Sequence, residues 1–251
     1  MAQYHTYHNG TYSGINLHVL TTNASNIQLV NLNEKSSLKG SSYYGINGGF
    51  FVMGENLLIS LALNNGYQVG PGEQGTDNKW NGGGAIAWNG YAFEVYTPIQ
   101  TKSQLSSKVA GGSSNCLPGT WAQGGYSMFL GASDWYSRIK SELSGADPSA
   151  DQTKAGRSGM VADTLSKTVH LYVTKDVTSF TTFRRAVQAH IGISDGGNVN
   201  SRYKGLFLDG SYSSQMKAKK PDGSSTVVNV VWSAEGKVRS LTQIVALRNN
   251  S

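Results

Sequence analysis

The sequence predicts an α+β fold, a single strand-rich domain with a mixed, extended β-sheet and a few flanking helices. Three observations predict it. Short apolar and aromatic runs recur along the whole chain, either alternating at period two or continuous over strand length. Asn-Gly and Asp-Gly steps separate many of them. Clear helical spacing appears after Thr178, where Phe180, Phe183, Val187 and Ile191 fall on one face. A chain of 251 residues suits one domain and can bury a sizeable core. The domain is placed at 14–248, after a flexible N-terminal segment, 1–13.

Taken in order, that N-terminal segment is polar and contains His5 and His8. The His-x-x-His spacing matches a metal pair only weakly, and a mobile terminus accounts for it. Ile15 to Leu20 alternates and puts Asn16 and His18 on one solvated face. Asn23-Ala24-Ser25-Asn26 is turn chemistry, and Ile27 to Leu32 is a second strand. Ile46-Asn47-Gly48-Gly49-Phe50-Phe51 is an aromatic strand broken by paired glycines. It reads either as a hairpin turn or as a corner where bare backbone and the Asn47 amide meet a ligand. Leu57 to Leu63 has the length of a buried strand, and Asn64-Asn65-Gly66 ends it. Residues 69–84 form a Gly-rich loop with Asp77, Lys79 and Trp80, of a size often used for binding.

Gly84 to Trp88, Asn89-Gly90 and Tyr91 to Tyr96 make the clearest hairpin. Residues 97–119 read as an excursion. Trp121 to Leu130 repeats the earlier pattern, with Gln123, then Gly124 and Gly125, then aromatics. Asp134 to Leu143 is a short helix, and 145–156 a polar loop ending at Arg157. Thr168 to Thr174 is a strand. Thr178 or Ser179 caps the following helix and Gly192 closes it. Gly205 to Leu208 is a short apolar strand that delivers Asp209 at its C-terminal end, where open sheets place ligands. Val227 to Trp232 and Gln243 to Leu247 close the domain.

Composition narrows the partners. The net charge is +6 with a pI near 9.3, yet only 14% of residues are charged. That balance favours an anionic phosphosugar or polymer substrate. The basic residues are scattered and no nucleic-acid-binding motif appears. A lone cysteine, Cys116, excludes an internal disulfide and a thiolate-rich metal site. There is no apolar run long enough to span a membrane. The first residues lack a leader pattern, so the expectation is a cytoplasmic protein, one released by lysis, or a trimmed secreted form. Oligomeric state leaves no mark in the sequence.

Three segments, in order, carry a resemblance. They are Asn47-Gly48-Gly49-Phe50-Phe51, Gly156-Arg157-Ser158-Gly159 and Leu208-Asp209-Gly210-Ser211-Tyr212-Ser213-Ser214. Together they resemble the phosphodiester glycosidase family over residues 14–248. The family's usual LDGGGSS departs here, with Ser211 and Tyr212 in place of the second and third glycines. The resemblance implies cleavage of a sugar-1-phosphodiester, with the region around Arg157 and Asp209 belonging to the site. The segment at Gln123-Gly124 would border it.

Such a reaction releases a phosphate monoester, already a good leaving group, and needs little help from a strong general acid. It needs a cation on the phosphate, a carboxylate at the sugar and polar groups around the ring. Arg157 suits the first role through its forked donors. Asp209 suits the second, and Asn47 is grouped with them as a third catalytic candidate. Gly48, Gly49, Gln123, Gly124, Ser211, Tyr212, Ser213 and Ser214 are the substrate-binding candidates. No cofactor is required. A divalent cation stays open, with Asp163 and Asp209 as its weak ligands, because Asp209-x-Ser211-x-Ser213 presents hard oxygens. Two other functions stay open: a non-catalytic carbohydrate- or phosphosugar-binding module, and an enzyme acting on a nucleotide signal with a sugar–phosphate link.

Overall fold

The computed structural model describes residues 4–70, 83–99, 102–143, 155–231 and 236–249. The loop with Asp77, Lys79 and Trp80 therefore lies outside the described residues, as do most of the polar loop before Arg157 and the Trp232 end of the expected closing strand.

The chain opens with a hairpin, β1 (His5–Tyr12) and β2 (Ile15–Asn23), paired from His5↔Thr22 to Tyr12↔Ile15. The expected flexible terminus is thus an edge strand from residue 5 onward. Its alternation was hidden because it is built from Thr, Tyr and His rather than aliphatics. Then come β3 (Ile27–Asn31), β4 (Gly45–Asn47), β5 (Phe51–Val52), β6 (Leu57–Leu58), β7 (Ala62–Asn64) and β8 (Tyr67–Gln68). The apolar run at 57–63 is split between two strands, because Ile59 and Ser60 turn back to donate to the Phe50 carbonyl. The hairpin β9 (Gly84–Trp88) and β10 (Phe93–Tyr96) is as expected, with Asn89 Oδ1 accepting the Tyr91 and Ala92 amides in its turn.

The second half holds α1 (Ser107–Ala110), β11 (Trp121–Ser127), α2 (Trp135–Glu142), β12 (Ala155–Asp163), β13 (Thr168–Val177), α3 (Phe180–Ile191), β14 (Tyr203–Phe207), β15 (Gln215–Lys219), β16 (Ser225–Asn229) and β17 (Gln243–Leu247). Helix α3 starts at Ser179, whose side chain accepts the Thr182 amide, and stops at Gly192 in a left-handed conformation.

These strands form a ten-stranded sheet, with β1-β2-β13-β12-β14-β11-β7-β8 as its path and β9-β10 joined through β11. A five-stranded sheet, β16-β15-β4-β17-β3, packs against it. One apolar layer lies between the two sheets and includes Leu20, Ile46, Met160, Leu171, Met216 and Val245. A second lies between the large sheet and α2 and α3, with Val19, Tyr126, Tyr172, Phe183, Val187 and Phe207.

The mixed-sheet α+β expectation is corrected. The protein is mostly β, 43% strand against 16% helix. Every pairing between the described strands is antiparallel, and the parallel contact among them is an isolated bridge, Ala132↔Gly197. The physical reason lies around α3. A strand, a helix and a strand in succession, β13-α3-β14, look like a parallel crossover unit. Here β12 sits between β13 and β14 and pairs antiparallel with both.

Central strand β4 depends on a glycine. Gly45 has φ +141°, and a Cβ there would overlap the Val245 carbonyl oxygen of β17. Gly45→Ala is therefore expected to cost about 3 kcal/mol or more. Urea unfolding of the purified variant, or its loss to the insoluble fraction, measures this.

Candidate functional site

Asn47, at the end of β4, is 1% exposed and has both ends of its amide engaged. Its Nδ2 donates to the Asp209 carbonyl at 2.6 Å. Its Oδ1 accepts from Ser158 Oγ at 2.7 Å and from the Gln215 amide at 3.1 Å. One side chain thus joins β4 and β15 of the small sheet to β12 and the exit of β14 in the large one. The backbone reinforces the junction, with Asp209 N–H donating to Gly48 O and Leu208 N–H to Ser158 O. The three sequence segments meet here. The polar atoms of Asn47 are committed to this frame.

The paired glycines are explained by packing rather than by ligand approach. A Cβ on Gly48 would overlap the Gln243 side chain, and one on Gly49 would stand 2.6 Å from Ser60 Cβ and 3.0 Å from Gln123 Nε2. Gln243 Oε1 accepts the Gly49 amide at 2.8 Å, and Gln243 Nε2 donates to Gln123 Oε1 at 3.0 Å. Gln123 Nε2 donates in turn to Gly124 O. Both glutamines are buried, so Gln123 holds the corner from behind. A Cβ on Gly124 would press on the Leu61 backbone. Gln243 is a residue that sequence reasoning missed. Its signal was a single amide in an otherwise apolar closing strand.

Arg157 is not at a solvated loop end. It lies within β12, 3% exposed, with Nη1 donating to Gly156 O at 3.0 Å and the guanidinium 4.9 Å from the Phe180 ring centre. A Cβ on Gly210 would stand 3.4 Å from Nη1, so the residue after Asp209 lies directly over this cation. Asp209 is half-buried. Register puts Arg157 on the same face as Gly159, hence as Phe207 and Tyr126. Phe180 packs edge-on against Phe207 with ring centres 4.7 Å apart, and Phe50 lies tilted against Tyr126 with ring centres 4.9 Å apart. Beyond Phe50 and Tyr126 lies a small cleft of about 30 Å³, also lined by Ser60, Gly84, Gly124 and Gly125. The cation, the carboxylate segment and an aromatic-walled cleft therefore share one face at one end of the sheet.

The Ser211–Ser213 turn forms the rim. Ser211 keeps a left-handed backbone, φ 56°. Tyr212 is exposed, whereas Ser213 and Ser214 are buried. Arg239, a second residue absent from the sequence expectations, donates to Ser213 Oγ at 3.2 Å and lies 5.6 Å from the Tyr212 ring centre. It is half-buried.

Asp163 belongs elsewhere. It ends β12 six residues from Arg157, a span of roughly 20 Å. Arg202 grips it through two donors, and the Leu165 and Ser166 amides complete it, so its carboxyl is held well below the usual range, first by the Arg202 hydrogen bonds. It is a turn anchor. Among the described residues no group of three or more His, Cys, Asp or Glu side chains converges on a common point.

Glu142, at the end of α2, was also unforeseen. It is 7% exposed, its Oε2 accepts the Ser127 amide at 2.7 Å, and Oε1 has no partner among the described residues. Burial pushes its pKa up to about 7. Its charge and, more strongly, burial raise the neighbouring Tyr126 phenol.

No family model matches the chain, and no curated protein matches it. Among solved structures, that of a hypothetical protein from Synechocystis is similar, with a TM-score of 0.50 and 14% identity over 96% of this chain and 61% of that one. This is a likeness of fold. The chain spans about three fifths of that protein's length. No helix among the described residues is long and apolar enough to cross a membrane.

Two outcomes are expected. Asn47→Ala strands the Ser158 hydroxyl and the Gln215 amide without their acceptor, and should cost on the order of 3–5 kcal/mol in urea unfolding. For Glu142 the folded pKa lies above the unfolded value of about 4.5. Across the window from 4.5 to about 7 the folded protein keeps a proton that the unfolded chain has lost, so this group's contribution falls as pH rises and then levels. Glu142→Gln should match the wild type near pH 4 and exceed it by up to roughly 3 kcal/mol above pH 7. Melting curves of both proteins across pH measure the gap.

Proposed function

We propose that this protein hydrolyses a sugar-1-phosphodiester, releasing the sugar and a phosphate monoester. The observation that supports this most is the placement of Asp209 directly before a glycine that lies over the Arg157 guanidinium, on the face that carries the aromatic cleft. Phe50 and Tyr126 offer apolar walls for a sugar ring, and the exposed Tyr212 offers a stacking face at the rim. Asp209 is fixed through both of its backbone groups, so its carboxylate is presented from a rigid stem.

In this reading water adds its hydroxyl to C1 while the C1–O bond breaks. The bond's electrons go to the phosphate oxygen, and Asp209 takes the water proton. Arg239 at the rim suits direct contact with the phosphate. Arg157, buried beneath Gly210, supplies fixed positive charge where the leaving oxygen becomes negative. Asn47, Gln123 and Gln243 hold this arrangement from below.

A second reading, a non-catalytic phosphosugar-binding module, draws support from one feature. Ser211 and Tyr212 stand where the resembling family has glycines, so the rim carries side chains that narrow the approach to Asp209.

Kinetics separates the two. In an enzyme, Asp209→Asn keeps the fold and removes most turnover, because the amide keeps the shape and loses the basicity. Arg157→Lys should lower kcat more than it raises KM, with a loss of about 2–4 kcal/mol in transition-state stabilisation. The assay follows reducing sugar and phosphate monoester together. Near-normal kcat in Asp209→Asn would make its carboxylate structural. No turnover by the wild type across sugar phosphodiesters, with Arg157-dependent binding of a phosphonate analogue, would establish the module.

A further inference from the structure

Three of the five histidines gather away from the cleft, where β1, β13 and the last turn of α3 meet. Register puts His8, Thr21, His170 and Tyr172 on the face of the large sheet that α3 covers. His190, in the last turn of α3, comes down onto them. His8 Nε2 and His190 Nε2 are 2.9 Å apart, a hydrogen bond whose proton sits on one ring or the other, and the ring planes are 24° apart. The His190 Nδ1 lies 2.9 Å from the hydroxyl of the fully buried Tyr172. His170 stands edge-on to His190, its own Nδ1 held by Thr21 Oγ1 at 2.8 Å. His5, the other half of the sequence pair, is three residues from His8 along a strand and so faces the opposite side.

We propose that His8 and His190 form a two-imidazole site for a borderline divalent transition ion, tying the edge strand β1 to the end of α3. The geometry fits one class of ion. With metal–nitrogen bonds of about 2.0–2.1 Å, nitrogens at this separation subtend an angle of about 90° at the metal. That is the cis angle of octahedral or tetragonal coordination, as in Ni²⁺ and Cu²⁺, and it is too narrow for tetrahedral Zn²⁺. The remaining positions go to water, since no third ligand converges here among the described residues.

The surroundings suit the role. When His190 Nδ1–H donates to Tyr172, the Nε2 lone pair faces His8, the usual way a second partner orients a ligating imidazole. His8 needs only to keep its proton on Nδ1. Burial lowers the pKa of both rings, which favours the unprotonated form that can ligate. The nearby carboxylate, Asp163, is paired with Arg202, and burial lowers the pKa of His170 as well.

Ni²⁺ is the probe of choice, because Cu²⁺ oxidises thiols and Cys116 is only half-buried. Calorimetry on the tag-free chain should show one equivalent bound by the wild type and none by His8→Gln or His190→Gln. Tyr172→Phe should bind roughly tenfold more weakly. Mg²⁺ should not compete. A measurement without mutation guards against misfolded variants: in NMR of the wild type, paramagnetic Ni²⁺ should broaden the ring signals of His8 and His190 before those of His5 and His18. Equal binding by both glutamine variants, no binding at millimolar Ni²⁺, or first broadening at another histidine would overturn the proposal.

Discussion

The structure depends on one buried amide. Asn47 sits where two sheets come close enough to share polar groups, and an apolar side chain there would leave a hydroxyl, a backbone amide and a carbonyl without partners. Inside a low-dielectric layer, each orphan would be costly. The glutamine pair behind it, Gln123 and Gln243, does the same for the Gly48-Gly49 corner. Polar groups in a core specify register sharply, because a one-residue slip of β4 would turn the amide out of its hydrogen bonds to Asp209, Ser158 and Gln215. The apolar layers on either side supply the driving force, and the amides fix which arrangement it produces.

That constraint sets what the candidate site can use. Asp209 leaves the sheet held by Asn47 and Gly48, so it has little freedom to relax away from a ligand. Arg157 and Phe180 pack beneath, and the aromatic face holds the buried guanidinium in place. Charge, carboxylate and aromatic walls come from residues spread along the chain from Phe50 to Asp209, which short loops alone could not hold in place. The same antiparallel sheet builds the histidine cluster at another place, again from strands and a helix distant in sequence.

The strand runs, the Asn89-Gly90 hairpin, the capped helix α3 and the short helix α2 were legible in the sequence, because each rests on local periodicity, turn chemistry or capping. The segments at Asn47, Arg157 and Asp209, singled out from the sequence, do meet in the fold. The antiparallel topology was not legible. Which strand inserts between β13 and β14 is decided by long-range pairing, and the local pattern of strand, helix and strand is the same either way.

The roles within the site were decided by tertiary structure too. Asn47, Gln123 and the paired glycines looked like ligand contacts, since an amide beside bare backbone serves a ligand or a neighbouring strand equally well. Burial assigns them to the neighbouring strands. Gln243, Arg239 and Glu142 carried almost no local signal, because a polar residue in or beside an apolar run gains meaning only from what it faces. By itself the sequence determined a strand-rich domain and the three segments to watch. Folding decided which of their atoms stay open, because hydrogen bonds between distant strands consume some polar groups and leave others at the surface.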